Sequence, residues 1–506
     1  MGRHLSTKLL SGLALAVAIG VTAIASPASA ASLKMAWKQD ATGLDPHKQT
    51  AFSSIRLLEL IYEPLVRFDK DLQIVPAVAA SWEFTPDAKQ LTFKLNPNAK
   101  FQDGKPVTAA DVKASFERVL DEKTAAAARA NYLSIASIET PDDKTVVFKL
   151  SQPDVPLLAA MASINAAIVP AAEIAAGAIG TKALGSGPFK LDKWEPNSKE
   201  TLSANKDWAG GKVAVDGIDI SVLPDETAIL AALRTKQVDF ALINDPLVAT
   251  LVPKEPSLQL NRMPVLAYHV LQLNASRKPM DNLAVRQAIS CAVDRQDVLD
   301  TASVGEGKVT GPLTMPGYTS DASTLFCYKK DIAKAKKLMA DAGFASGFSA
   351  TVIAANGEPA TAAAEAQVLQ SQLAEIGVKL NIKMMELNVY VDTWLKGDFD
   401  MAVALNGGRA DPYPMYNRYW TKTGNLQKVA NYIDDTLDSL MQKGRVETDP
   451  AKRKAIFADF EKHLVEVSPW VWLYTSYSYT AQQKNVQGFV PTPEGSLFGL
   501  SKVTLK

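Results

Sequence analysis

"FQDGKPVTAADVKASFERVL", Phe101–Leu120, holds a helix start and a helix face in one short run. Thr108 with Asp111 three residues on has the form of a capping box, in which each side chain satisfies a free amide at the helix start. Val112, Phe116, Val119 and Leu120 then fall on one apolar face at helical spacing. Similar segments flank this helix. "TPDAKQLTFKL" (Thr85–Leu95) and "TPDDKTVVFKL" (Thr140–Leu150) share seven of eleven positions. Each places Pro-Asp turn chemistry before an alternating strand. Two hairpins using one good turn explain this more simply than a duplicated unit.

Outward from that region the chain reads as mixed α/β. "LKMAW" is a short strand, and "SSIRLLELIYEPLVRF" has the spacing of an amphipathic helix through Ile55, Leu58, Ile61, Tyr62 and Leu65. "VAVDGIDISVLPDETAILAALRTKQVDFAL" reads strand, turn, helix, strand. "NLAVRQAISCAVDRQDVL" predicts one helix, and "AAAEAQVLQSQLAEIGVKLNIKMM" a helix stopped at Gly377 and followed by a strand. "WVWLYTSYSYTAQ" is a long aromatic strand. At 506 residues the chain is too long for one ordinary core, so two or more lobes are expected.

Lys+Arg and Asp+Glu are equal at 54 each, which argues against a broad phosphate-binding face, so no nucleic-acid partner is expected. The first residues carry Arg3 and Lys8 and no acid, then an apolar run, Leu9–Ala25, and then Ala28-Ser29-Ala30. That is the form of a secretory leader, with cleavage expected after Ala30. No later segment reaches about 18 continuous apolar residues, so the exported mature chain is expected to be soluble rather than held in a membrane. Cys291 and Cys327 are the only cysteines. In an oxidising compartment they are expected to pair as a disulfide, two buried thiols being the alternative.

Local catalytic motifs are missing. There is no G-x-G-x-x-G, no phosphate-binding G-x-x-x-x-G-K-[ST], no G-x-S-x-G and no paired-histidine metal spacing. No cofactor and no metal are expected. His47 follows a strand-end turn and is a candidate ligand contact. "NGGRADPYPMYNRYW", Asn406–Trp420, follows an apolar strand and reads as a loop. Its glycines permit close backbone approach, and its charged and aromatic residues suit a small-molecule pocket. Asn406, Gly408, Arg409, Asp411, Tyr413, Tyr416 and Trp420 are therefore candidate ligand-binding residues. A structural loop with an internal Arg–Asp pair and core-packed aromatics is the competing reading.

Together, "IYEPLVRFDKDLQIVPAVAASWEF", "LTFKLNPNAKFQDGKPVTAADVKASFERVLD", "GSGPFKLDKWEP", "NLAVRQAISCAVDR" and "LQSQLAEIGVKL" resemble the family 5 extracellular solute-binding proteins of ABC importers, the peptide- and nickel-binding group. The resemblance implies an α/β, two-lobed periplasmic-binding-protein fold with a hinge and an extra subdomain in the first lobe. It implies a signal peptide over 1–30, lobe 1 over 31–268 with the subdomain near 73–185, lobe 2 over 269–480, and a return to lobe 1 over 481–506. Hinge crossings are expected near Ala267–Asn274 and Tyr477–Gln483. Also implied are a monomer that closes on a peptide or small-molecule ligand, permease subunits in the inner membrane as partners, and no enzymatic chemistry. Peptide-binding relatives carry a W-x-x-D-x-x-D-P loop whose first aspartate pairs with the peptide amine. Aligned on Asp411-Pro412, that aspartate's place is Gly408 and the tryptophan's is Leu405. The arginine that holds a dipeptide carboxylate falls at Asn356. Neither anchor is present, so a plain dipeptide is disfavoured, and a metal chelate or an opine or sugar-phosphate type of solute stays open. An exported hydrolase on a similar scaffold is the alternative of a different class.

Overall fold

The computed structural model describes residues 32–506, so the expected leader and its expected cleavage point lie outside the described residues. An 11-stranded sheet runs through the molecule. Leu33–Trp37 pairs in parallel with Gly217–Val222 and with Phe240–Ile243, and Lys199–Ala204 and Phe189–Glu195 extend that side. On the other side Met401–Asn406 and Phe348–Ala355 lead to the edge strand Val378–Met385. Helix Ala362–Ala374 makes the crossover between the last two strands, and Gly377 at φ +82° turns the chain out of it.

The middle of the sheet is built from two long antiparallel strands, Leu258–Leu273 and Trp470–Gln483. Leu258–Pro264 pairs with Tyr477–Gln483, and Tyr268–Gln272 pairs with Trp470–Thr475. Between Pro264 and Tyr268 the register shifts. Proline has no amide hydrogen for the ladder, which accounts for a break at this point. The freed backbone finds other partners. The Leu266 amide donates to the Pro493 carbonyl at 3.0 Å, and the Leu266 carbonyl accepts from Thr314 Oγ1 at 2.6 Å.

A separate four-stranded sheet lies within residues 79–150. The two similar segments meet here: Gln90–Leu95 and Thr145–Leu150 are neighbours, with Leu91 opposite Phe148. Helix Ala109–Leu120 covers this sheet, and Phe116 meets Phe148 edge-on at 5.0 Å. Its capping box is formed, with the Thr108 amide donating to Asp111 Oδ2 at 2.9 Å. Asp111 also accepts from the Ala171 amide at 2.9 Å, so one cap ties two segments together.

Three sequence expectations are corrected. Helix Phe52–Ile61 stops before Tyr62, because Pro64 disfavours helical backbone in the residue ahead of it. "NLAVRQAISCAVDRQDVL" is two helices, Leu283–Ala292 and Arg295–Ala302; Asp294 caps the second by accepting from the Gln296 and Asp297 amides. Pro412–Trp420 is a helix rather than a loop. Pro412 takes the first helical position, where no amide is needed, and Asp411 caps the helix by accepting from the Tyr413 amide at 2.9 Å. Cys291 and Cys327 are disulfide-bonded across 36 residues, with Cα atoms 4.8 Å apart.

The first half of the molecule buries a pair of acids. Glu200 is fully buried beside Asp40, whose carboxylate accepts from Trp194 Nε1, the Asn197 amide and the Ala41 amide. Burial, and then the neighbouring Asp40, push the Glu200 carboxyl up to about 10. In the unfolded chain this group ionises near 4.5, so between those values the folded state holds the extra proton. Stability is therefore lost as pH rises through that window. Glu200→Gln, which keeps a donor toward Asp40, is expected to raise stability by about 2 kcal/mol at pH 8 and to flatten its fall between pH 5 and 9. Denaturant unfolding across pH checks this.

Candidate functional site

The site lies where the central ladder is broken. Leu266 and Ala267 from the break, helix Phe52–Ile61, the Gly357–Thr361 turn, the end of strand Met401–Asn406 and the segment around Glu494 all face one cleft. A chamber of about 1160 Å³, including space open to solvent, is lined by Trp37, Phe52, Arg56, Glu358, Leu405 and Tyr477 among others. A second chamber of about 790 Å³ shares Phe52, Glu358 and Leu405 with the first and adds Asn406, Gly407, Arg409 and Arg418. Phe52, Glu358 and Leu405 thus form the neck between them.

Half-buried charges line this cleft, and several have few protein partners. Arg409 makes no hydrogen bond and no ion pair among the described residues, and burial lowers its pKa, with repulsion from Arg418 adding to the effect. Arg418 lies over the Tyr419 ring at 4.8 Å, and its Nη2 donates to the Gly407 carbonyl at a long 3.4 Å. Arg56 lies over Phe52 at 5.6 Å and donates to Asn244 Oδ1 at 3.4 Å. Glu358 accepts from the Phe52 amide at 3.0 Å, and Glu59 accepts from the Leu497 amide at 3.3 Å. Burial pushes Glu494 up to about 7 while Arg409 opposes the rise. Three arginines and three carboxylates therefore face the cleft without a direct ion pair between any two of them among the described residues.

The expected site residues divide. Asn406 lines the second chamber, its Nδ2 donating to the Tyr268 hydroxyl at 3.3 Å, and Arg409 projects into the cleft. Gly408 lies at the ladder break, where a Cβ would sit 2.0 Å from the Leu266 carbonyl oxygen, so only glycine fits. The remaining positions are corrected. His47 is fully buried away from the cleft, between the Ala167 carbonyl at 2.9 Å and Arg118 at 2.7 Å. Burial lowers its pKa to about 4, so it is held neutral. Asp411 is held by Arg453 through two bonds of 2.6 and 2.8 Å. Tyr413, Tyr416 and Trp420 are core side chains, with Trp420 packed 4.7 Å from the Trp470 ring. Their helix needs an apolar face, and its aromatics supply it. Asn356 is exposed and bonded to Glu386 at 3.0 Å, outside the cleft lining. Sequence reasoning missed Phe52, Arg56, Glu358 and Arg418. Arg56 carried a signal, as a charge inside an otherwise apolar helical run. Glu358 carried none.

The sequence model of bacterial extracellular solute-binding proteins, family 5 Middle, matches residues 73–427. The chain belongs to this family. Among family 5 relatives, the probable D,D-dipeptide-binding periplasmic protein DdpA of Escherichia coli K12 is 30% identical over 85% of this chain and 86% of that protein. The glutathione-binding protein GsiB of the same strain is 28% identical over 96% of both chains. The solved structure of the binding protein AgaA with agropinic acid, from A. tumefaciens R10, superposes with a TM-score of 0.87 at 32% identity. That match covers 94% of this chain and 99% of AgaA. Family 5 proteins have the two-lobed α/β fold found here, and the family is one of binding proteins. No cluster of three or more metal-ligating side chains occurs among the described residues.

The Asp411–Arg453 pair has a structural role that a ligand anchor would not share. Arg453→Met leaves a buried carboxylate without its partner and is expected to cost about 3–5 kcal/mol in denaturant unfolding. Adding Asp411→Asn is expected to recover part of that loss.

Proposed function

We propose that this protein is the periplasmic receptor of an ABC importer, which captures a small polar solute in the cleft and delivers it to a membrane permease. The carrying observation is a cleft lined by arginines and carboxylates that lack direct ion-pair partners among the described residues. The solute class is a peptide or a related conjugate such as an opine, in keeping with what the relatives bind. The protein acts as a monomer, without cofactor and without nucleic acid, after removal of the leader at Ala30.

The lobes are assigned as 31–268 with a subdomain near 73–185, then 269–480, then 481–506 returning to the first. The hinge falls at the ladder break, near Pro264–Tyr268 and Thr475–Tyr477, a few residues ahead of the crossings expected from sequence. This assignment makes the present conformation a closed one. Three contacts support that reading: Asp154 is buried against Arg445 at 2.5 Å, Asn425 Nδ2 donates to the Ala126 and Ala127 carbonyls at 2.9 Å, and the Phe52 amide reaches Glu358. Ligand contacts to both walls would favour this form over an open one.

One observation favours a hydrolase as the second reading. His269 lies with Nε2 3.1 Å from Ser476 Oγ and Nδ1 2.8 Å from Glu365 Oε1, and Ser476 lines the larger chamber. Nucleophile, base and orienting acid stand in that order in serine hydrolases.

The test is thermal unfolding of the ligand-stripped mature protein against peptides, opines, glycosyl phosphates and metal chelates. A solute at 100 times its dissociation constant is expected to add about 2.7 kcal/mol. Recovery of that solute unchanged supports the receptor. Its consumption, abolished by Ser476→Ala, supports the hydrolase.

A further inference from the structure

The second chamber holds more positive than negative charge. Arg409, Arg418 and Glu358 are its charged lining residues. The two guanidinium groups converge on Gly407. Arg418 Nη2 is 3.4 Å from the Gly407 carbonyl oxygen, and Arg409 Nη1 is 3.9 Å from where a Gly407 Cβ would stand. Arg418 Nε is buried without a hydrogen-bond partner among the described residues. Two like charges held together in a partly desolvated cleft are costly, and an anion placed between them removes that cost. Across the chamber, one oxygen of Glu358 accepts from the Phe52 amide.

We infer that the solute is an acid of net negative charge, its carboxylate lying between Arg409 and Arg418 beside Gly407 and an amine or hydroxyl donor facing Glu358. This deepens the solute-binding reading above and rests on it. A zwitterionic dipeptide is neutral overall and leaves the chamber one positive charge in excess. A solute with two carboxylates on one secondary amine balances it. Glu59 and Glu494 adjoin the other side of Arg409 and share that part of the cleft with Arg56 as well, so two guanidinium groups face these two acids, and burial raises the pKa of both. The missing side chain of Gly407 leaves the space that the carboxylate takes. The neck at Phe52 and Leu405 then leads the rest of the solute toward the larger chamber.

Isothermal titration of the ligand-stripped mature protein tests this with three matched probes: N-(1-carboxyethyl)glutamine, its monoamide, and the dipeptide Ala-Gln. The diacid is expected to bind about tenfold or more tighter than either neutral probe. Arg409→Gln removes no hydrogen bond among the described residues, so it is expected to fold and to erase that difference. Gly407→Ala places its methyl 3.6 Å from Phe52 and 3.9 Å from Arg409, ordinary contact distances. It is expected to melt like the parent yet bind the diacid about tenfold more weakly. Unchanged diacid affinity in Arg409→Gln overturns the inference. So does tightest binding by a net-neutral solute, in this set or in the wider panel, and that result leaves the solute-binding reading intact. Silence from every solute overturns both.

Discussion

Leu258–Leu273 and Trp470–Gln483 share one antiparallel ladder through the middle of the molecule, and Pro264 breaks it. The rest of the site depends on that break. A continuous ladder would bond the Leu266 amide and carbonyl within the sheet. Released from it, the amide holds the C-terminal segment at Pro493, and the carbonyl lies against Gly408 and Thr314. The cleft opens where the sheet stops pairing with itself, and segments distant in sequence are drawn to its walls. The same break is where the proposed hinge falls.

Charge and aromatic area are sorted by that geometry. Tyr416, Trp420, Trp470 and Trp472 pack into one core cluster behind the cleft. Asp411 and Arg453 beside it satisfy each other. In front, among the described residues, Arg409 and Arg418 are left with donors unspent, and Arg56 has only one long bond to Asn244. A buried charge is tolerated when it is paired, and in the proposed receptor the partner is the solute. Residues that sit side by side in one fifteen-residue stretch thus serve opposite ends, because helix Pro412–Trp420 turns most of its side chains away from the strand end that precedes it.

The fold was legible wherever the signal was local. The capping box at Thr108 and Asp111, the helix stop at Gly377 and the long aromatic strand depend on neighbours in sequence. The helix at Pro412 was misread because prolines and polar residues suggest a loop, while the same residues are favourable in a first helical turn. The site was less legible. Arg409 and Asn406 follow a strand end and line the cleft, whereas Glu358 reaches it only through a turn whose neighbours say nothing about it. His47 was misplaced because a turn after a strand does not reveal whether it faces a cleft or, as here, Arg118.

The sequence by itself determined the family and the alternation of helices and strands, and it led to the expectations of a leader and of missing peptide anchors at Gly408 and Asn356. It also supplied, one and two residues further on, charges of the opposite sign to those anchors, in Arg409 and Glu358. Only the tertiary structure decided which charges face the cleft and which face each other. That choice depends on the distance between groups far apart in the chain. Arg453 lies 42 residues beyond Asp411 and still neutralises it, while Arg418, nine residues beyond Arg409, repels it.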